Sequence, residues 1–162
     1  MRKSFTLAVA VLAFQLMTPL AYAEETRSCV SVTKSEIASL FDRWNASLQT
    51  KDPDKVVENY SEDAVLLPTV SNKPRMNHEE IRDYFEHFLQ KSPKGKINTS
   101  TIHVGCNDAF DVGTYTFVLT DKDGKVSEVA ARYSYFYEFR DGKWLIAHHH
   151  SSAMPEKVSS GH

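Results

Sequence analysis

The sequence contains no block of lysine and arginine and no basic stripe along any segment. Nucleic acid and anionic lipid, which are held through dense positive charge, are therefore not expected partners. It also lacks HExxH, CxxC and any carboxylate-rich loop, so no metal is expected. There is no GxSxG elbow for a serine nucleophile and no glycine-rich nucleotide loop, so no bound redox cofactor is expected either. Internal repeats and low-complexity tracts are absent. What remains is a chain of 162 residues, 41% hydrophobic and 25% charged, the composition of a single globular domain.

Cysteine is reduced to two, Cys29 and Cys106. The N-terminus says how to read them. Arg2-Lys3 precedes an apolar stretch from Phe5 to Leu20, and Ala21 and Ala23 form an A-x-A site before Glu24-Glu25. That is the grammar of a secretory signal peptide, residues 1–23, and the chain is expected to be exported, either periplasmic or secreted. Cleavage leaves one mildly acidic domain, 24–162, of about 139 residues, long enough for its own core. No membrane association is expected after cleavage. In an oxidising compartment the two cysteines read as a disulfide, whose long loop would contribute roughly 4 kcal/mol in the chain-entropy description.

Helix signals come first along the chain. Thr33-Lys34-Ser35-Glu36 is a capping box ahead of Ile37, Leu40, Phe41, Trp44 and Leu48, an amphipathic stripe. Asp52-Pro53 opens a short second helix burying Val56, Val57 and Tyr60. Ala64 to Leu67 is a short strand stopped by Pro68. Asn77 and Glu80 then cap a third helix carrying Ile81, Tyr84, Phe85, Phe88 and Leu89. From Ile97 onward the period becomes two. Segments 99–105, 109–120, 126–140 and 143–152 read as strands, with Asp123-Gly124 and Asp141-Gly142 as hairpin turns. Helices followed by an antiparallel meander predict an α+β cone, helices laid on a strongly curved sheet. Residues 24–31 and 156–162 read as loose ends, apart from Cys29.

Two segments carry chemistry. In "WLIAHHHSSAMP", alternation along a strand puts His148 and His150 on one face and His149 and Ser151 on the other. Three adjacent strand histidines cannot converge on one metal ion. In "RYSYFY", Tyr133, Tyr135 and Tyr137 share a face, with Tyr115 expected on the neighbouring strand. A buried tyrosine hydroxyl needs a partner, so the stripe suits a polar-aromatic cavity better than a dry core.

The segments "LFDRWNASLQTKDPDKVVENYSEDAVLL", "IRDYFEHFL" and "DGKWLIAHHHSSAMP" resemble the association (hub) domain of calcium/calmodulin-dependent protein kinase II. They look closest to its stand-alone bacterial relatives, the SgcJ/EcaC family of the nuclear-transport-factor-2-like, or SnoaL-like, superfamily. The resemblance runs from about Glu36 to Pro155. It implies a cystatin-like cone, a pocket between the first helix and the sheet, and self-assembly through the sheet into a homodimer or higher oligomer. It does not carry kinase activity, since no kinase motif is present. Where the kinase hub has pocket arginines, this chain aligns Tyr115, Tyr135 and Ser151, which turns the expected ligand from an anion to a small neutral or aromatic molecule. The alignment also puts His149 and Ser151 on the pocket side.

Two functional readings follow. The first is an exported, non-catalytic oligomerising domain whose pocket is lined by Trp44, Tyr60, Tyr84, Phe85, Tyr115, Tyr133, Tyr135, His149 and Ser151. The second is an isomerase, cyclase or oxidoreductase in which His149 is the general base and Tyr115 or Tyr135 donates to an oxyanion.

Overall fold

The computed structural model describes residues 28–156; the signal peptide expected over 1–23 lies outside them. Helix α1 (Lys34–Gln49) starts where its capping box dictates. Thr33 N–H donates to Glu36 Oε2 at 2.7 Å, and Glu36 N–H returns to Thr33 Oγ1 at 3.2 Å. Its stripe of Ile37, Leu40, Phe41, Trp44 and Leu48 is buried. Helix α2 (Pro53–Val57) is capped by Asp52, and α3 (His78–Phe88) by Asn77. A 3-10 turn, Leu89–Lys91, extends α3.

Five strands follow this helical layer or interrupt it: β1 (Tyr60–Leu67), β2 (Lys94–Val104), β3 (Asp108–Thr120), β4 (Val126–Arg140) and β5 (Lys143–Ala153). Their order across the sheet is β1-β5-β4-β3-β2. The last four form the antiparallel meander expected from the sequence. β1 joins β5 in parallel, so the sheet is mixed. A parallel neighbour needs a long crossover, and here that connection includes α3 and the whole meander. The α+β class, helices packed on a curled sheet, is as expected.

The boundaries differ in instructive places. Tyr60 opens β1 instead of closing α2, because α2 stops at Val57 and the chain extends at once to pair Tyr60 with Ile146. β2 begins at Lys94, five residues before the predicted start, and carries a register shift between Ile97 and Thr99. A Cβ on Gly113 would sit 1.9 Å from the Thr99 carbonyl oxygen, so only glycine admits that approach. At the β4–β5 hairpin, Asp141 and Gly142 both have positive φ, as a two-residue primed turn demands.

Cys29 and Cys106 are bonded, closing a loop of 77 residues' separation. The segment around Cys29 is not loose. Asn107 accepts from Val30 N–H at 2.8 Å and donates to the Ser28 carbonyl at 3.0 Å, tying the segment ahead of α1 to the β2–β3 turn.

Candidate functional site

The concave face is built by β3, β4 and β5, with α1 laid across it. β5 does not alternate strictly. A bulge at Ala147 separates the Tyr137–Ile146 pair from the Phe136–His148 pair. Ile146 and His149 therefore both point inward although they lie three residues apart, and Ser151 follows. His148 and His150 lie on the convex face, half-buried.

Trp44 descends from α1 onto His149, its ring edge-on at 5.5 Å. Its indole N–H donates to Tyr60 Oη at 3.0 Å, and Tyr60 Oη lies 3.0 Å from His149 Nδ1. An indole nitrogen can only donate, so the Tyr60 oxygen accepts from it, and the arrangement that also gives the Tyr60 proton an acceptor turns that proton towards Nδ1. Nδ1 is thus the acceptor. The neutral ring then carries its proton on Nε2, which is buried and has no hydrogen-bond partner among the described residues. Burial, reinforced by the flanking His148 and His150, brings the His149 pKa down to about 3. The ring stays neutral across the physiological range.

Tyr135 stacks beneath His149 at 4.2 Å between centroids, and among the described residues neither its buried hydroxyl nor that of Tyr137 has a partner. Burial raises the pKa values of both well above the ordinary phenol, so they remain neutral donors. Beside them Tyr115 donates to Ser151 Oγ, which also contacts Thr69 Oγ1. Between these groups lies a cavity of about 20 Å³, lined in part by Trp44, Thr69, Tyr84, Tyr115, His149 and Ser151. That holds about one water and no more. The expected pocket between α1 and the sheet is therefore largely occupied by the protein's own rings. Tyr84 and Phe88 separate this cavity from an open basin of about 240 Å³ at its mouth.

The nine residues named from the sequence divide. Trp44, Tyr84, Phe85, Tyr115, His149 and Ser151 line the cavity. Tyr60 stands behind His149, and Tyr135 under it. Tyr133 turns away to donate to Asp111 Oδ1 at 3.1 Å, and it makes no part of the cavity wall. Sequence reasoning passed over Thr69 in the cavity wall, Arg75 in the basin wall, and the buried Asp111, which lines neither but holds Tyr133. Asp111 is 2% exposed, and burial raises its pKa against the opposing hydrogen bonds from Ser100 and Tyr133. Its inward position was available from alternation in "FDVGTY". Thr69 and Arg75 sit in the β1–α3 connection, where no periodicity assigns a direction. Among the described residues, no three His, Cys, Asp or Glu side chains come together as a metal set.

The family model of the calcium/calmodulin dependent protein kinase II association domain matches residues 33–155. A crystal structure from Xanthomonas campestris, described as such an association domain, is 54% identical, with a TM-score of 0.76, covering 80% of this chain and 96% of that one. The association domain of the Caenorhabditis elegans kinase (C. elegans CaMKII) is similar in fold at 16% identity, TM-score 0.62, covering 74% and 94%. A ketosteroid isomerase-like protein from Erwinia carotovora atroseptica is similar to the same degree, 16% and 0.61, over 74% and 95%. Among curated proteins none matches. With three-quarters of its length matched by the family model and a relative of more than half identity, the chain belongs to the calcium/calmodulin dependent protein kinase II association domain family.

Proposed function

We propose that the protein is an exported, self-associating domain without catalytic or kinase activity, which holds a small molecule at the cavity and its mouth. The carrying observation is the Trp44–Tyr60–His149 relay. A general base needs a free lone pair and a pKa near the working pH. His149 offers neither, because Nδ1 is engaged by Tyr60 and burial holds the pKa at about 3. It offers a buried N–H instead. A neutral donor with unpaired tyrosine hydroxyls nearby suits recognition of an acceptor atom better than proton abstraction. The enzymatic alternative, with His149 as base, has no comparable support.

Self-association rests on the convex face. Phe110, Phe136 and Val65 lie side by side there with His103 and His148, and Phe110 remains 38% exposed in the single chain. Three apolar side chains in a row that crosses the sheet make a surface that a second copy can cover.

A thermal-shift ligand screen, repeated on His149→Ala and Tyr135→Phe, tests the reading. Hits are expected to raise the wild-type Tm, to lose effect in His149→Ala and to be recovered unchanged. Conversion of a hit by wild type that stops in His149→Ala would restore the catalytic alternative. Light scattering should give a dimer or larger species, and a strict monomer at micromolar concentration removes the assembly claim.

A further inference from the structure

His148 and His150 take no part in the cone. The bulge in β5 ends at Ala147, and from His148 to Ala153 the pairing with β4 is regular, so the two histidines leave the same face two residues apart. Their Cα atoms are then separated by roughly 6.6 Å, close enough for both rings to incline towards one ion. The backbone between them is anchored from the other side. His149 is 4% exposed, held by Tyr60 and stacked on Tyr135, which fixes the direction in which its neighbours project. On the convex face β1 supplies Val65 and Leu67 on one flank of the pair, and β4 supplies Phe136 and Ser134 on the other. Neither row of the sheet to which the two histidines belong carries a lysine, arginine, aspartate or glutamate. Nothing there repels a cation, and imidazole is the strongest ligand on offer. The third convex histidine, His103, stands three strands away, roughly 14 Å at ordinary strand spacing, and stacks on Phe110 instead. Among the described residues, one chain therefore brings two ligands and no third.

From this we infer that His148 and His150 are half of a zinc site, closed by the same two residues of a second copy across the convex face. Zinc in structural sites is four-coordinate and takes neutral imidazole nitrogens at about 2.0–2.1 Å. A two-fold axis repeats every group of one face on the other, so an ion on that axis meets two histidines from each copy. Ligands on paired strands are held more precisely than ligands on loops. The motifs missing from the sequence are those of sites built within one chain, whereas a site shared between copies needs only the pair. The inference rests on the reading above that a second copy covers this face, and it adds what joins the two.

Titration calorimetry of the full exported chain, without a tag, tests the site with zinc chloride and with magnesium chloride as the control. Zinc is expected to saturate at one ion per two chains, and magnesium, which prefers oxygen ligands, to give no binding. His148→Gln and His150→Gln should each weaken zinc binding about tenfold or more. Light scattering over a dilution series reads the assembly. EDTA should raise the concentration at which the copies part by about tenfold or more, and added zinc should restore it. In either variant the series with zinc and with EDTA should coincide. Circular dichroism confirms that each variant is folded; if one is not, the wild-type stoichiometry and the EDTA series decide. No zinc binding, one ion per chain, binding unchanged in either variant, or an assembly indifferent to EDTA overturns the inference. A dimer or larger species that persists unchanged in EDTA leaves the self-association reading standing, whereas a monomer with and without zinc removes both.

Discussion

Two rows of side chains cross this sheet one residue apart. Ile102, Asp111, Tyr135, His149 and Leu66 form the inner row, and His103, Phe110, Phe136, His148 and Val65 the outer. Each holds a histidine at the same strand, adjacent in sequence. All five inner residues are buried. The outer residues are half-buried or exposed, and His103 stacks on Phe110 at 4.8 Å. The backbone treats the rows alike, so the difference comes from what covers them. On the inside, burial holds His149 neutral and the Tyr60 hydrogen bond selects its tautomer. On the outside, His148 is shifted down by partial burial and by His150, and no relay assigns its proton. The inner row is a specified environment, whereas the outer is a surface awaiting its cover.

The comparison breaks most visibly at Trp44, which is 1% exposed and bridges α1 to the inner row. Trp44→Ala should cost about 3–5 kcal/mol, the range for removing a large core aromatic. Urea unfolding followed by circular dichroism measures it, and a loss below about 1 kcal/mol would mean that the inner row is not the core.

Acid sharpens the contrast between the two histidines. The unfolded chain binds a proton at His149 near the ordinary value of 6.5, but the folded protein refuses it down to about 3. The stability this group contributes is therefore complete above pH 6.5 and is lost progressively between pH 6.5 and 3. Roughly 2 kcal/mol should disappear from about pH 6.5 to about pH 4.5 on this account. His149→Gln removes that slope, while His148→Gln retains most of it. Urea midpoints at the two pH values for the three proteins decide, and equal slopes in wild type and His149→Gln would refute the buried neutral ring.

Tyr60→Phe probes the relay itself. It deletes the acceptor of the Trp44 N–H and the donor to Nδ1 in one step, at an expected cost of about 1–3 kcal/mol. Nitrogen NMR of the imidazole should show the proton on Nε2 in wild type and a mixed tautomer in the variant. A wild-type proton on Nδ1 would reverse the direction of the relay.

The fold was readable where local chemistry is decisive. Thr33 and Glu36 announce α1, Asn77 and Glu80 announce α3, and Asp141-Gly142 fixes a turn, each by satisfying backbone groups within four residues. The disulfide was legible because only two cysteines exist. What escaped depends on distant partners. Tyr60 has a residue type that suits either a short helix end or a strand, and only its pairing with Ile146 settles it. The bulge at Ala147 leaves no composition signal, yet it turns Ile146 and His149 to the same side. In the candidate site, alternation separated His149 from His148 and His150, but it could not show that rings from α1 fill the cone. Arg75 and Thr69 are placed by a loop whose direction is set by the bridge to Leu66, a contact no periodicity encodes.

The smallest effect on the folded chain belongs to the outer row, and it separates the rows best. Phe136 sits between Phe110 and His148 with one side open. Phe136→Asp gives up part of an apolar contact at a surface that already admits water, so the single chain should lose only about 1 kcal/mol or less. If a second copy covers that row, the same substitution places an unpaired carboxylate in the centre of the interface. Dissociation is then expected, because a buried uncompensated charge costs far more than the monomer loses. Light scattering should show the monomer, while urea unfolding remains near wild type. An unchanged assembly would mean that the copies meet elsewhere, and a large loss of monomer stability would mean that the two rows are less different than their burial implies.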